Sequence, residues 1–452
     1  MRTLIHGGLV VTDTGARVAD ILMENGKIAA VGEALDGTDA QVVDASGKLV
    51  FPGMIDAHTH MGLPVCNTVT ADDFDTGTRA AILGGTTCIV DFATQEKGET
   101  LAQGLAHWDE KARGRSHCDY AFHMAIGDWN PSVREELRDM IERGITSFKV
   151  YLTYGNQVND RELFEILDAL KPLGGIVGVH CENSGIIDAC TAKVKAAGVT
   201  GPEGHPRSRP AEAEAEAIHR LLTIAALVDV PVVVVHLSSE EGLSEIRRAR
   251  GRGMRVYAET CPQYLLLEES RYSLPDFEGA KYICSPPLRR VDDQQALWEA
   301  LERGEIDTVS TDHCSFTMEQ KRAGLGDFTK IPGGMPGVEE RPALMLTFSD
   351  LPLTQIARVL CANPAKLYGM YPRKGTILPG SDGDVVIWDP SVRRTLSAKT
   401  LHTAAGYTPY EGVDVQGMAE TVFLRGERVV EGGALVKPFA GAYIPRGKNT
   451  LD

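Results

Sequence analysis

Phe51-Pro52-Gly53-Met54-Ile55-Asp56-Ala57-His58-Thr59-His60 reads as an apolar β-strand that runs out into two histidines. Side chains alternate across a strand, so His58 and His60 point to the same side. The ending recurs downstream. Ile176-Val177-Gly178-Val179 leads into His180, Pro231-Val232-Val233-Val234-Val235 into His236, and Asp307-Thr308-Val309-Ser310-Thr311 into Asp312. Lys149 lies inside a fifth such run, Ser147-Phe148-Lys149-Val150-Tyr151. Six potential metal ligands are therefore spread along the chain, each on or at the end of a predicted strand.

Working outward, the strand texture repeats at 53–58, 87–92, 120–126, 147–152, 176–180, 231–237, 254–259 and 307–311. Helical patterns fit between these runs, at 73–83, 133–143, 160–170, 211–227, 243–250 and 292–303. Strand and helix in alternation make a parallel sheet covered by helices, and eight is the number that closes a (β/α)8 barrel. An open doubly wound sheet would scatter the six ligands along a flat edge. A barrel gathers them at the carboxyl rim of its strands, where barrel enzymes carry their chemistry.

The chain ends have a different texture. Short apolar runs punctuated by Gly7-Gly8, Asn25-Gly26 and Gly47 open the sequence, and a similar pattern returns at 375–377, 384–388, 421–424 and 428–430. Asn-Gly between two apolar runs signals a hairpin. The expected architecture is an α/β chain with a TIM-like barrel at 52–374, a small β-sandwich assembled from 1–51 and 375–436, and a C-terminal tail, 437–452, free to reach another subunit.

With 62 acidic and 46 basic residues the net charge is −16, and no Lys/Arg run forms a stripe that could follow a phosphate backbone, so nucleic acid is not an expected partner. No stretch is long and apolar enough to suggest a membrane partner, since 230–235, the most apolar, is far too short to span a bilayer. The nine cysteines are scattered, odd in number and never spaced as Cys-x-x-Cys, which reads as free thiols in a reducing compartment, the cytoplasm by default.

Neutral imidazoles suit zinc and related divalent ions. Lys149 fits less simply. An ammonium inside an apolar strand is costly unless paired. Either a carboxylate neutralises it, or it is deprotonated and adds carbon dioxide, becoming a carbamate anion able to bridge two metals. Asp312 can serve as a ligand and as a proton acceptor that later acts as a donor; a capping role for the following segment is the alternative. Two adjacent cations would activate water and polarise a carbonyl.

Taken together, these residues resemble the dihydropyrimidinase and D-hydantoinase family of the amidohydrolase superfamily. The likeness also rests on Gly84-Gly85-Thr86-Thr87, His180-Cys181-Glu182-Asn183, Glu259-Thr260-Cys261-Pro262-Gln263-Tyr264, Ser285-Pro286-Pro287-Leu288-Arg289 and Thr311-Asp312-His313-Cys314. The resemblance implies a site in which His58, His60 and Asp312 hold one metal and His180 and His236 another. Carboxylated Lys149 (N6-carboxylysine) and a hydroxide would bridge them. Zinc is the implied ion, with manganese or cobalt as substitutes. Tyr154 is implied as the donor to the developing oxyanion, and Ser285 and Gly333 as contacts to the cyclic amide. Gly333 departs from the family pattern, which has Asn there.

The implied reaction is hydrolytic opening of a cyclic ureide or imide, a 5,6-dihydropyrimidine or a 5-substituted hydantoin, to an N-carbamoyl amino acid. Allantoinase- or dihydroorotase-like hydrolysis is the alternative. Met61-Gly62-Leu63-Pro64 after the His pair lacks the arginine common in dihydroorotases and favours a neutral ring or an apolar substituent, with 61–70 and 153–159 lining its pocket. Thr200-Gly201-Pro202-Glu203-Gly204-His205 and Phe328-Thr329-Lys330-Ile331-Pro332 lean towards dihydropyrimidinase. A non-catalytic scaffold of the collapsin response mediator type would lack the ligands that are present here. The family also implies a homotetramer, with a dimer as the alternative. Glu212, Glu214 and Glu216, alternating with alanine, read as a solvated helix face, and His313 as a residue beside the site.

Overall fold

The computed structural model describes residues 2–451. β1 (Arg2–Val11) pairs with β2 (Ala16–Glu24), and Asn25 and Gly26, with φ of 50° and 82°, turn β2 back into β3 (Lys27–Gly32). Two consecutive left-handed residues match the twist of the flanking strands, which is why Asn-Gly makes a hairpin here. The register of β1 shifts between Ile5 and Gly8. Its first half is therefore free to pair with β4 (Gln41–Asp44) and its second with β5 (Leu49–Pro52).

The barrel follows directly. It begins with β6 (Met54–Thr59); a small hairpin of β7 (Pro64–Val65) and β8 (Thr68–Val69) then rises above the rim. Next come β9 (Thr86–Thr94), β10 (Asp119–Ala125), β11 (Ser147–Tyr151), β12 (Ile176–His180), β13 (Val232–Val234), β14 (Val256–Thr260) and β15 (Thr308–Val309). With β6 these seven form an eight-stranded parallel sheet, as the eight apolar runs predict. Asp73, Thr100, Asn130, Asn159 and Ser239 cap the helices that follow them by accepting backbone N–H bonds. The helix Asp160–Leu170 buries Leu163, Ile166, Leu167 and Leu170, one stripe at helical spacing.

Closure between β15 and β6 relies on side chains. Asp56 accepts from Thr311 N (3.1 Å) and Thr311 Oγ1 (2.6 Å), and His60 N donates to the carbonyl of His313 (2.8 Å). Arg341, wholly buried, donates through Nη1 to the carbonyls of Ile55 and Val309 (2.8 Å each) and through Nη2 to Thr86 Oγ1 (3.0 Å). Its Nε lies 3.8 Å from Asp56. Replacing Arg341 with leucine should destabilise the barrel by roughly 3–5 kcal/mol, because buried Asp56 loses its counter-ion and the carbonyls of Ile55 and Val309 lose their donor. The check is a fall in the thermal midpoint larger than that of a surface Arg→Leu control.

After the barrel, β16 (Val385–Thr395) pairs antiparallel with β5, and β17 (Asp414–Leu424), β18 (Glu427–Glu431) and β19 (Ala434–Leu435) extend the same sheet. All nine terminal strands therefore join in one mixed sheet. It folds over a core to which the start of the chain gives Ile5, Ile21 and Ile28, and the end gives Val385, Ile387 and Phe423. Ile28 N donates to the carbonyl of Ser381 (2.9 Å) and Gly383 N to that of Gly26 (2.8 Å), tying the far edge. Below the barrel, buried Lys374 bonds Asp119 at the foot of β10 (2.7 Å) and Asp384 beside β16 (2.5 Å), locking the sheet to the barrel. The tail crosses the barrel floor within its own chain. Ile444, fully buried, bonds the Tyr120 carbonyl, and Arg446 reaches Ser147 Oγ (2.7 Å).

Two expectations change in detail. β13 and β15 are short, so His236 and Asp312 lie beyond their strands, with φ of 40° and 52°. Glu214 is buried, unlike its neighbours Glu212 and Glu216. It shares a helix face with Ile218, Leu221 and Ala225 and accepts from Ser238 N (2.9 Å), Ser238 Oγ (2.8 Å) and Ser239 Oγ (2.5 Å).

Candidate active site

The barrel brings all six predicted ligands to one end. Asp312 Oδ1 lies 3.2 Å from His58 Nε2 and 3.0 Å from His60 Nε2. Lys149 Nζ is 3.5 Å from His58 Nε2, and His180 Nδ1 is 3.0 Å from His236 Nε2. The imidazole rings of His58 and His236 are 5.4 Å apart, so the two groups share one cavity wall. Lys149 and the four histidines are buried, and Asp312 is nearly so.

The backbone is strained where it delivers these groups. Tyr154, His236 and Asp312 all have positive φ, 72°, 40° and 52°, in a region non-glycine residues rarely enter. Such strain persists only where surrounding structure enforces it, and it gathers at functional sites. Here it turns the chain just past β11, β13 and β15.

Two carboxylates behind the ligands fix the imidazole protons. Glu259 accepts from His58 Nδ1 (2.6 Å), and Glu182 accepts from His180 Nε2 (2.8 Å) and Arg209 Nη1 (2.5 Å). Carboxylate partners of this kind orient ligating histidines and raise their basicity. His58 Nε2 is left with a lone pair facing the Asp312 carboxylate oxygen, a repulsive contact in a dry site unless a cation lies between them. His180 Nδ1 likewise turns a lone pair towards His236. Burial, with Lys149 nearby, pushes the pKa of His58 well below its ordinary value, and burial does the same to His236. The rings are thus held neutral, the form that binds metal. Burial pushes the Asp312 carboxyl up, but any positive charge carried by His58, a hydrogen bond from His60 and the nearby Lys149 pull it further down, so it stays ionised.

Lys149 makes no direct ion pair among the described residues; burial drives its pKa below the ordinary value, with the charges of Asp312 and Glu259 opposing that fall. A lysine whose charge burial disfavours, four imidazoles, one ionised carboxylate and unshared lone pairs make a donor set that fits divalent cations.

Tyr154 stands at the mouth, 42% exposed, its ring 5.1 Å from that of His180 and 5.4 Å from the Arg209 guanidinium. Desolvation of its hydroxyl raises its pKa, with Arg209 and a hydrogen bond from Ser285 pulling against that rise, so the phenol keeps its proton. Ser285 and Gly333 face each other: a Cβ added at Gly333 would lie 3.8 Å from Ser285 Oγ. A separate cavity of about 300 Å³ is lined by Leu63, Pro64, Trp108, Gly155 and Asn156 together with polar Thr94, Gln95, Glu96 and Lys97. It draws on both segments, 61–70 and 153–159, that the sequence assigns to a substituent pocket. His313 bonds Asp72 (3.0 Å) and accepts from Gly337 N (3.1 Å), bracing the segment that carries Asp312.

Sequence reasoning gave no role to Glu182, Glu259 or Arg209. A carboxylate closing the apolar run Val256-Tyr257-Ala258-Glu259 was a signal for one of them.

The amidohydrolase family model matches residues 49–429. The chain belongs to the amidohydrolase family. Among curated relatives of this amidohydrolase, D-hydantoinase of Geobacillus stearothermophilus is 45% identical, covering 99% of this chain and 97% of the relative. D-hydantoinase of Streptomyces coelicolor is 44% identical over 98% of each chain. The crystal structure of dihydropyrimidinase from Brevibacillus agri superposes with a TM-score of 0.98 at 44% identity, over 100% of both chains. L-Hydantoinase (dihydropyrimidinase) from Arthrobacter aurescens gives 0.89 at 31% identity, over 98% of this chain and 99% of that one.

Proposed function

We propose that this amidohydrolase opens the ring of a cyclic amide, a 5-substituted hydantoin or a 5,6-dihydropyrimidine, by hydrolysis to an N-carbamoyl amino acid. The observation that carries the reading is Lys149, buried with no carboxylate in ion-pair contact and 3.5 Å from His58 Nε2, among the four gathered histidines. His58, His60 and Asp312 would hold one divalent cation and His180 and His236 a second, with Lys149 as the carbamate between them. Zinc is the proposed ion, with manganese or cobalt as substitutes. Such cations supply Lewis acidity and lower the pKa of water towards neutrality.

The protein's own groups do the rest. Asp312 takes the proton of the attacking water as its oxygen adds to the ring carbonyl. Tyr154, still protonated, donates to the oxyanion that develops. Asp312 then returns its proton to the ring nitrogen as the C–N bond breaks, and the former carbonyl becomes a carboxylic acid that gives up the second proton of the water to solvent. Ser285 and the backbone around Gly333 hold the imide plane. With no side chain at Gly333, that contact is made by main-chain groups. The segments 61–70 and 153–159 take the exocyclic substituent.

Tyr154→Phe should lower kcat by about 10²–10³-fold with a smaller change in KM, the signature of a donor used mainly in the transition state. Steady-state kinetics on one hydantoin check it. The reading itself is tested by assaying hydantoin, 5-phenylhydantoin, dihydrouracil, allantoin and dihydroorotate side by side. Hydantoins and dihydrouracil should be turned over fastest; a preference for dihydroorotate or allantoin would overturn the substrate assignment. The high likeness to D-hydantoinases supports a preference for the D enantiomer of 5-substituted rings.

The same reading divides the chain into a sheet domain, 1–51 with 375–436, a barrel, 52–374, and a tail, 437–452. It places the enzyme in the cytoplasm as a homotetramer; the free thiols support the compartment and family membership the assembly.

A further inference from the structure

Lys321 is fully buried, and no carboxylate pairs with it among the described residues. An unpaired buried ammonium is expensive and needs compensation. Its compensation is three main-chain carbonyls: Nζ donates to Ile283 (3.3 Å), Pro332 (3.0 Å) and Gly334 (3.0 Å). Burial pushes the Lys321 pKa down to about 7, and in its protonated form Nζ has three N–H donors, one for each carbonyl. The acceptors lie on two segments that are also joined by one main-chain bond, Gly334 N donating to the Ile283 carbonyl (2.8 Å). Ile283 precedes Ser285 by two residues, and Pro332 and Gly334 flank Gly333.

We infer that Lys321 is a positioning residue for the cyclic amide, clamping the Ser285 and Gly333 segments at a fixed separation. The inference rests on the proposed role of Ser285 and Gly333 in holding the ring. Three observations carry it. First, the neighbours of Ser285 and Gly333 are buried while these two remain partly accessible, so the clamp lies behind the surfaces that would meet the ring.

Second, the two sides depend on Lys321 to different degrees. On the Ser285 side the carbonyl of Cys284 has His205 Nε2 as a partner (2.7 Å) and that of Pro286 has the Tyr264 hydroxyl (2.8 Å). Among the described residues, the carbonyls of Pro332 and Gly334 bond only to Lys321. Because Gly333 has no side chain to contribute, recognition there depends on where its backbone is held.

Third, the same short turn of helix, Met318–Lys321, also holds the hairpin above the rim: Gln320 Nε2 donates to Thr68 Oγ1 and to the Val69 carbonyl (2.7 Å each). One helical turn thus gathers three rim segments around the mouth of the site. The clamped segment also pairs with the chain after Asp312, Cys314 N donating to the Met335 carbonyl (3.1 Å), but Lys321 itself touches none of the reacting groups, so its first effect is on ring binding.

The test compares Lys321→Met, which keeps the stem and removes the donors, with Ser285→Ala, using full-length, metal-replete enzyme. Lys321→Met should raise KM for dihydrouracil or hydantoin by about tenfold or more while kcat stays within about threefold and metal content is unchanged, the split expected when ground-state binding is lost. Hydrogen exchange should speed up at 331–335 and leave β11 and β12 unaffected. If Ser285→Ala raises KM and Lys321→Met does not, the clamp is overturned and the ring site stands. If neither changes KM, the ring reading fails and the clamp with it. Should Lys321→Met not accumulate as folded protein, Lys321→Arg carries the test. It keeps the charge but misplaces the donors, so an unchanged KM would overturn the inference.

Discussion

Replacing Asp312 with asparagine is expected to lower kcat by about 10²–10⁴-fold, the range that a positioned acid–base group contributes. The substitution preserves the shape of the side chain and removes its charge. An amide oxygen can still face His58 and His60, but it cannot accept a proton from water or return one to a leaving nitrogen. The left-handed backbone at Asp312 (φ 52°) suits asparagine as well as aspartate, so the fold should survive. Steady-state kinetics and metal analysis on the same preparation separate the two roles. Loss of turnover with metal retained identifies the proton shuttle; near-normal turnover would remove Asp312 from the mechanism.

The second large effect is expected at Lys149. Lys149→Met keeps the length and apolar stem of the side chain but removes the nitrogen. In the proposed enzyme the neutral amine adds to carbon dioxide, an N–C bond forms, one proton leaves, and a buried base becomes an anion. Methionine cannot do this, so activity should fall to background. A paired experiment distinguishes the carbamate from a lysine that is merely structural. Wild-type enzyme stripped with a chelator in carbon-dioxide-free buffer should regain activity with zinc at a rate that rises with added bicarbonate. The variant should not respond. Reactivation of wild type at the same rate with and without bicarbonate would refute the carbamate.

Much of this was legible in the sequence because barrel chemistry is local in one respect: a ligand at the end of a strand announces itself by the apolar run before it. That signal found His58, His60, His180, His236, Asp312 and, less directly, Lys149. It blurred where the strand stopped early. Val232–Val234 and Thr308–Val309 leave a loop before His236 and Asp312, and a left-handed turn does the aiming. Periodicity does not encode that turn.

The supporting groups were harder to read because their partners lie far away in sequence. Glu214 looked solvated amid alternating alanines, yet helical spacing puts it with Ile218 and Leu221, and Ser238, which bonds it, is 24 residues on. Glu259 meets His58 across 201 residues, and Arg341 meets Ile55 across 286. Lys321 gives no sequence signal, since its partners are main-chain carbonyls with no residue identity. The resemblance to hydantoinases supplied Tyr154 and Ser285, which no spacing rule would have chosen.

The central claim is that the gathered side chains form a metal site on which hydrolysis depends. Elemental analysis of purified, active enzyme, repeated after chelation and after zinc and bicarbonate are restored, tests it most directly. We expect about two divalent ions per chain, lost and regained in step with ring-opening activity. Full activity in enzyme stripped of metal, or no uptake even with zinc and bicarbonate present, would contradict it.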